Sequence, residues 1–352
     1  MNVRALLLAI LLPLPALAQG FAGMGATADG YTLPERGVPL DFPRDHGAHP
    51  DFRIEWWYLT ANLTGPDGTD YGIQWTLFRS ALAPGDPGEG WQSRQAWMGH
   101  AALTTPEAHH FTSRLARGGI GQAGVRRDPF HAWIDEWQMN GTAAPGADPL
   151  SSLHLAASGP DFAYDLALSA EGPLVLQGVR GYSVKSEKGQ ASYYYSQPFY
   201  LVSGTITLPS GQVAVTGRAW LDREWSSQPL AEDQSGWDWV SLHFDDGTKL
   251  MGYRLRGADG AYTVGTWIGA DGETVPLEEG ALTMTPLETS DVAGRRVPTS
   301  WRIALPARQI DVTIEAINKE AWMGTEFAYW EGPVRITGSQ SGRGYLEMKG
   351  YD

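Results

Sequence analysis

The stretch EWWYLTANLTGPDGTDYGIQWTLFR, residues 55–79, carries two apolar runs on either side of Gly-Pro-Asp-Gly-Thr. An Asp-Gly flanked by alternating apolar residues is a hairpin signal. On a strand, alternate residues share a face. A register centred on Asp67 sets Leu63 against Tyr71, Ala61 against Ile73, Leu59 against Trp75 and Trp57 against Leu77. The next pair outward is Glu55 with Arg79. All these apolar residues then lie on one side, and a one-residue slip would turn one strand's set over. The stretch predicts a β-hairpin whose buried face ends in a structural ion pair, Glu55 with Arg79. The same pattern also suits a polar cluster at the mouth of an apolar pocket, in which Trp57 and Trp75 would touch a ligand.

Outward from this hairpin the chain repeats its style. Short alternating runs (FAYDLALSA, SGTITL, QVAVTGRAWL, QIDVTIEAI) are separated by turn dipeptides such as Asp259-Gly260 and Asp271-Gly272, and glycine and proline punctuate the whole length. This is the pattern of antiparallel sandwiches or barrels. Residues 105–119, TPEAHHFTSRLARGG, read as a short helix or ordered loop. WDWVSLHFDDGTKLMGYRLR, residues 237–256, echoes the opening hairpin in order: aromatic pair, strand, Asp-Gly-Thr, strand, Leu-x-Arg. Read with a two-residue turn at Asp246-Gly247, it puts Asp238, Val240, Leu242 and Phe244 on one face with Met251, Tyr253 and Leu255. The echo predicts two related β domains, 51–222 and 223–352, meeting near residues 205–230, after an extended lead-in over 19–50.

The first residues, MNVRALLLAILLPLPALAQG, have one basic residue, an apolar run and Ala16-Leu17-Ala18. They predict a secretory signal peptide, residues 1–18, cleaved after Ala18, and a periplasmic or secreted protein. The run is too short to span a membrane, and no later stretch approaches one. There is no cysteine, so stability must come from burial and not from disulfides. The net charge of −14 and pI near 5.0 argue against nucleic acid or anionic membrane surfaces as partners. Fifteen tryptophans and fourteen tyrosines suit barrel cores or sites for flat apolar ligands.

Few motifs carry chemistry. Gly119-x-Gly121-x-x-Gly124 lacks the strand and helix a dinucleotide site needs. Asp45, His46, His49 and Asp51 could hold a metal, but nothing elsewhere completes a set, and no metal or cofactor is expected. AWLDREWSSQPLAEDQSGWDW, residues 219–239, is the richest segment. It sets Trp220 near Asp222, Glu224 beside Trp225, and Asp238 between Trp237 and Trp239. A carboxyl packed on indole loses solvation and its pKa rises, so it can deliver a proton near pH 7. Asp222, Glu224 and Asp238 are therefore the candidate acids. A polar linker capped by aromatics accounts for the segment equally well.

HPDFRIEWWYLTANL (49–63), YYYSQPF (193–199), AWLDREWSSQPL (219–230), GWDWVSLHFDDGTKLMGYRLR (236–256), YWEGPVRITG (329–338) and GRGYLEMKGYD (342–352) together resemble the AttH-like branch of the carotenoid 1,2-hydratase family. The resemblance implies two tandem lipocalin-like β-barrel domains and, in the hydratases, cofactor-independent hydration of an isolated alkene. It also implies a link to ABC transport systems for AttH-like members. Trp220-Leu221-Asp222 matches the hydratase aromatic-x-Asp motif, whose Asp is the proton donor. Two positions depart from the pattern: Tyr193–Tyr195 stand where a histidine is expected, and so does Arg223. Trp57, Trp75, Tyr194, Trp220, Trp225, Trp237 and Trp239 are the expected ligand contacts. Three functions follow: an alkene-protonating, hydratase-like lyase acting on an apolar small molecule; a cargo-binding component serving an ABC transporter, with no chemistry; and a secreted hydrolase, for which no nucleophile stands out.

Overall fold

The computed structural model describes residues 28–228, 234–258 and 260–351. The expected leader and its cleavage site fall outside them. The chain is all-β: two curled antiparallel sheets with short 3-10 turns. The first sheet runs from Ile54 to Ser226, and the second from Gln234 to Lys349. Among the described residues no strand pairing joins the two sheets. The change of sheet falls after strand Gly211–Ser226, so the 222/223 division lies inside that strand.

The opening hairpin is the centre of the first sheet. Strands Ile54–Thr64 and Asp70–Ala81 pair with Leu63 opposite Tyr71, Leu59 opposite Trp75 and Glu55 opposite Arg79. The inward row of Trp57, Leu59, Ala61, Ile73, Trp75 and Leu77 is fully buried in one core. Gly68, at φ +84, supplies the left-handed residue of the turn, and Asp67 Oδ1 accepts from Thr69 N at 3.0 Å. Strand Gly211–Ser226 closes on the other side of Ile54–Thr64, and Ala191–Leu208 lies beyond it.

Two expectations need correction. Residues 109–117 form a strand, not a helix or loop, paired antiparallel to Gln95–Thr104 from His109–Thr104 onward. It is the exposed edge of the sheet, where polar residues on both faces hide the alternation. The second hairpin is shifted by one residue from the two-residue-turn reading. Its register is centred on Asp246, pairing Trp239 with Tyr253, Asp238 with Arg254 and Trp237 with Leu255. The turn is the one used by the first hairpin: Gly247 at φ +89, Thr248 N donating to Asp246 Oδ1 at 2.9 Å, and Phe244 N to Thr248 O at 3.0 Å. Met251, Tyr253 and Leu255 therefore share a face with Trp237 and Trp239, opposite Asp238, Val240 and Leu242. Both faces of these strands are buried, so apolar pattern alone could not choose between the two registers.

That double burial positions the site. Each sheet curls round its own core, and the outer faces of the central strands pack on one another. Tyr58, Tyr194 and Trp220 from the first sheet meet Trp239, Tyr253 and Tyr345 from the second in a third apolar cluster.

Candidate active site

The residues that alternate away from the first core face the second sheet. On three neighbouring strands, Tyr58 stands opposite Asp222 and Asp222 opposite Ser196; one step along, Trp56 stands opposite Glu224 and Glu224 opposite Tyr194. The second sheet answers with Trp239 opposite Glu347, and Glu347 opposite Glu331. Between them is a cleft of about 950 Å³, counted out to open solvent. Its walls are mostly aromatic and aliphatic, among them Trp56, Tyr58, Phe78, Trp237, Trp239 and Phe327, and its acids are Asp222, Glu224 and Glu347.

Asp222 is 2% exposed. Its Oδ1 accepts from Ser196 Oγ at 2.5 Å and Trp220 Nε1 at 2.6 Å, and its Oδ2 from the Tyr194 hydroxyl at 2.6 Å. Tyr194 is held in turn by Trp239 Nε1 at 3.2 Å. Burial pushes the Asp222 carboxyl up to about 7, against the pull of its hydrogen bonds and with a further push from Glu224. Glu347 accepts from Trp237 Nε1 at 2.6 Å. It too is pushed up to about 7, by burial first and then by the charges of Asp222 and Glu224. Behind it, Glu331 accepts from the Tyr58 hydroxyl at 2.5 Å, and burial followed by the Glu347 charge holds it well above the carboxylate range. Glu224 is different: Lys185 Nζ lies 2.6 Å from it and Ser192 Oγ donates at 2.5 Å. The cleft thus offers two acids poised near neutrality and one neutralised carboxylate. The donors around Asp222 would stabilise the anion left when it gives up a proton.

The sequence-derived candidates divide cleanly. Asp222, Glu224, Tyr194, Trp237 and Trp239 line the cleft, and Trp220 holds Asp222 from beside it. Trp57, Trp75 and Trp225 point into the first core. There Trp57 lies under the Arg223 guanidinium at 3.8 Å, and Trp225 stacks on His49 at 4.0 Å. Asp238 is not brought to the cleft. It faces the other side of its strand, where Arg254 (2.9 Å), Arg256 and the Tyr351 hydroxyl (2.9 Å) clamp it. Arg223 turns away from Asp222 and toward Glu55, so it does not neutralise the candidate acid. Asp45, His46 and His49 are engaged with Arg44, Tyr195, Asp148 and Glu55. Among the described residues no group of three or more His, Cys, Asp or Glu could hold a metal ion. Glu331 and Glu347 were missed. The signal that marked Glu55, an acid within an apolar strand, is present in YWEGPVR and GYLEMKG.

Burial raises four carboxyls, Asp222 and Glu347 to about 7 and Glu331 and Asp238 upward, and these set a pH dependence that Asp222 and Glu347 dominate up to about pH 7. Each binds its proton more tightly folded than unfolded, so the folded state gains protons relative to the unfolded state between about pH 4 and 7. Stability should therefore fall as pH rises through that window, and Glu331, raised well above the usual range by burial, carries the fall to higher pH. Glu55 and Asp45 act oppositely. Opposing cations outweigh burial at Glu55, and hydrogen bonds outweigh it at Asp45; both carboxyls sit well below the usual range, and their stabilisation is lost in acid. Denaturant midpoints should peak between the two windows. Asp222→Asn should recover roughly 2–4 kcal/mol at pH 8 relative to pH 5. An unchanged pH 5 to pH 8 difference would mean that Asp222 is ionised in the native protein.

The AttH-like family profile matches residues 33–351. Three solved structures share the fold. A putative AttH from Nitrosomonas europaea is 33% identical, with 91% of this chain and 99% of that chain covered and a TM-score of 0.80. Kievitone hydratase from Nectria haematococca is 16% identical, covering 91% and 95%, with a TM-score of 0.68. CghA with Sch210972 is 11% identical, covering 92% and 96%, with a TM-score of 0.55. No curated protein gives a significant match. The chain belongs to the AttH-like family.

Proposed function

We propose that this AttH-like protein binds an apolar, terpenoid- or lipid-like small molecule in the cleft and adds water across an isolated double bond, with Asp222 as the acid and no cofactor. The observation that carries the reading is Asp222 itself: a buried carboxyl poised near pH 7 in an apolar slot, with three donors set to hold its anion. In the proposed step the O–H bond of Asp222 breaks and a C–H bond forms at one alkene carbon. The other carbon becomes a cation facing aromatic rings such as Trp239 and Tyr58. Water forms the C–O bond, and its surplus proton passes to the Glu347 carboxylate. Asp222 in its acid form favours Glu347 in its ionised form, since like charges repel across the cleft. Kievitone hydratase, which shares the fold, is by its name a hydratase, and this is consistent with the reading.

The reading includes export: the mature protein, beginning at Gln19, works in the periplasm or outside the cell. It is tested by extracting and weighing whatever co-purifies with the mature chain, then offering a panel of terpenoid alkenes in D2O. A hydrate bearing one deuterium on carbon is expected. A compound that binds, quenches tryptophan fluorescence and returns unlabelled after days would overturn catalysis in favour of a carrier serving an ABC transporter. One observation favours that rival: Tyr193–Tyr195 stand where the hydratase pattern has a histidine.

A further inference from the structure

Hydration consumes water, and the cleft is walled by apolar side chains. Beyond the wall formed by Tyr58 and Tyr329, the same outer face of the first sheet carries Gln74 and His100. Two sets of hydrogen bonds meet here, linked by the interaction of the Tyr329 hydroxyl with the Glu331 carboxyl. The Tyr58 hydroxyl donates to Glu331 Oε1, and the Tyr329 hydroxyl lies 2.9 Å from His100 Nδ1 and 3.2 Å from Gln74 Nε2. Gln74 and His100 are fully buried, and Glu331 is 1% exposed. Yet among the described residues no hydrogen bond of acceptable geometry reaches Glu331 Oε2, His100 Nε2 or Gln74 Oε1. A buried polar atom left unpaired is costly, so three in one network call for a ligand. The ligand must both donate and accept. Burial holds the His100 imidazole down to about 3, so it is neutral: Nε2 accepts when Nδ1–H donates to the Tyr329 hydroxyl, and donates when Nδ1 accepts from it. Gln74 Oε1 only accepts, while Glu331, whose pKa burial raises well above the usual range, donates when it holds its proton. Water meets all three demands and is the usual occupant of such sites.

We propose that Glu331, His100 and Gln74 form a bound-water site behind the Tyr58–Tyr329 wall, and that it delivers the water consumed in the hydration. The first half stands on the unpaired atoms alone; the second rests on the hydratase reading. Tyr58 is the link between the two: it stands directly opposite Asp222 on the neighbouring strand and touches Glu331 with its hydroxyl. Glu347 stands directly opposite Glu331 and faces the cleft. Water leaving the site toward a cation at Asp222 therefore passes the carboxylate that takes its proton. Glu331, His100 and Gln74 are positioning residues, because they hold the nucleophile and not the substrate.

The test has two arms. A high-resolution crystal structure of the mature chain should show ordered water within hydrogen-bond distance of His100 Nε2 and Glu331 Oε2. A dry space, or a protein group satisfying those atoms, overturns the water site whatever the protein's activity. The second arm uses geranylacetone, a trisubstituted isoprenoid alkene, in D2O. It compares deuterium washed into recovered alkene, which reports protonation by Asp222, with deuterated hydrate, which also needs water. His100→Phe should lower the hydrate-to-exchange ratio about tenfold, the scale of one lost hydrogen bond, while exchange persists. If His100→Phe does not fold, Gln74→Met serves the same comparison. An unchanged ratio in a folded variant that has lost the water overturns the delivery role. If the wild type neither exchanges nor hydrates the probe, the delivery role falls with the hydratase reading, and the crystallographic arm alone decides the water site.

Discussion

Arg79→Ala should destabilise the protein by about 3–5 kcal/mol, the loss expected when one partner of a buried ion pair is removed. Arg79 is 1% exposed and Glu55 fully buried. The guanidinium uses its whole fork: Nε meets Glu55 Oε1, Nη1 meets Gln95 Oε1 at 2.5 Å, and Nη2 meets the carbonyls of Phe52 and His49 at 2.7 and 2.8 Å. Truncation strands Gln95 Oε1 and the Phe52 carbonyl, while Glu55 Oε1 keeps the His49 N–H at 2.8 Å and the His49 carbonyl keeps the Phe52 N–H at 3.0 Å. Glu55 keeps some cover, since Arg223 Nη2 lies 3.2 Å from its Oε2 and His49 Nδ1 3.0 Å. That cover argues for the lower half of the range. Arg79→Lys keeps the charge but cannot bridge the carboxylate and both carbonyls, so a loss of about 1–3 kcal/mol is expected. Denaturant melts at pH 7 decide. A loss below about 1 kcal/mol for Arg79→Ala is what an exposed pair would give, and it would mean the network is not the clasp described here. The clasp does more than join two strands. His49 and Phe52 belong to the segment before the first strand, and Arg223 also holds the Gly47 carbonyl at 2.8 Å. The lead-in is thereby tied to the central strands of the first sheet.

This clasp was legible because the hairpin's inner face is uniform: one register makes every apolar residue agree, and the two charges fall opposite each other as a consequence. The tandem lipocalin-like architecture was legible for a related reason, the regular alternation of short runs and turns, reinforced by the family resemblance. The cleft was harder to see. It is built from the residues that alternate outward, and here those are as apolar as the inward ones, Tyr58 beside Trp57 and Trp239 beside Val240. Only contact between the sheets says which face meets what. That is why Trp57, Trp75 and Trp225 were grouped with Trp237 and Trp239, although they fill the first core. Asp222 was found because Trp220-x-Asp222 fixes a shared face, and that face proved to be the outer one. Asp238 failed the same test because its face turned on a register that the sequence left ambiguous. Glu331 and Glu347 lie more than a hundred residues from Asp222, and a pairing made across two sheets leaves no spacing to read.

Asp222→Asn should cut alkene turnover about 10²–10⁴-fold, the usual contribution of a positioned general acid, while leaving apolar binding nearly intact. The amide fills the same space, and its oxygen can still accept from Ser196 and Trp220 while its NH2 faces the Tyr194 hydroxyl, but it has no acidic proton to give. The pH profile should show the same group. Asp222 is active in its acid form and Glu347 as the carboxylate, so turnover should be bell-shaped about pH 7, falling on the alkaline side as Asp222 ionises and on the acid side as Glu347 is protonated. Asp222→Asn should remove the alkaline limb from whatever rate survives. Glu347→Gln should spare deuterium exchange into the alkene more than it spares hydration, because only hydration must dispose of a proton from water. Full turnover by Asp222→Asn would sink the assignment. Glu347 would then be the next acid to test, since it shares the cleft and the poise. Glu224 is tied to Lys185 at 2.6 Å, and Asp238 is clamped by two arginines away from the cleft. Neither can release a proton to a ligand between the sheets without first breaking an ion pair.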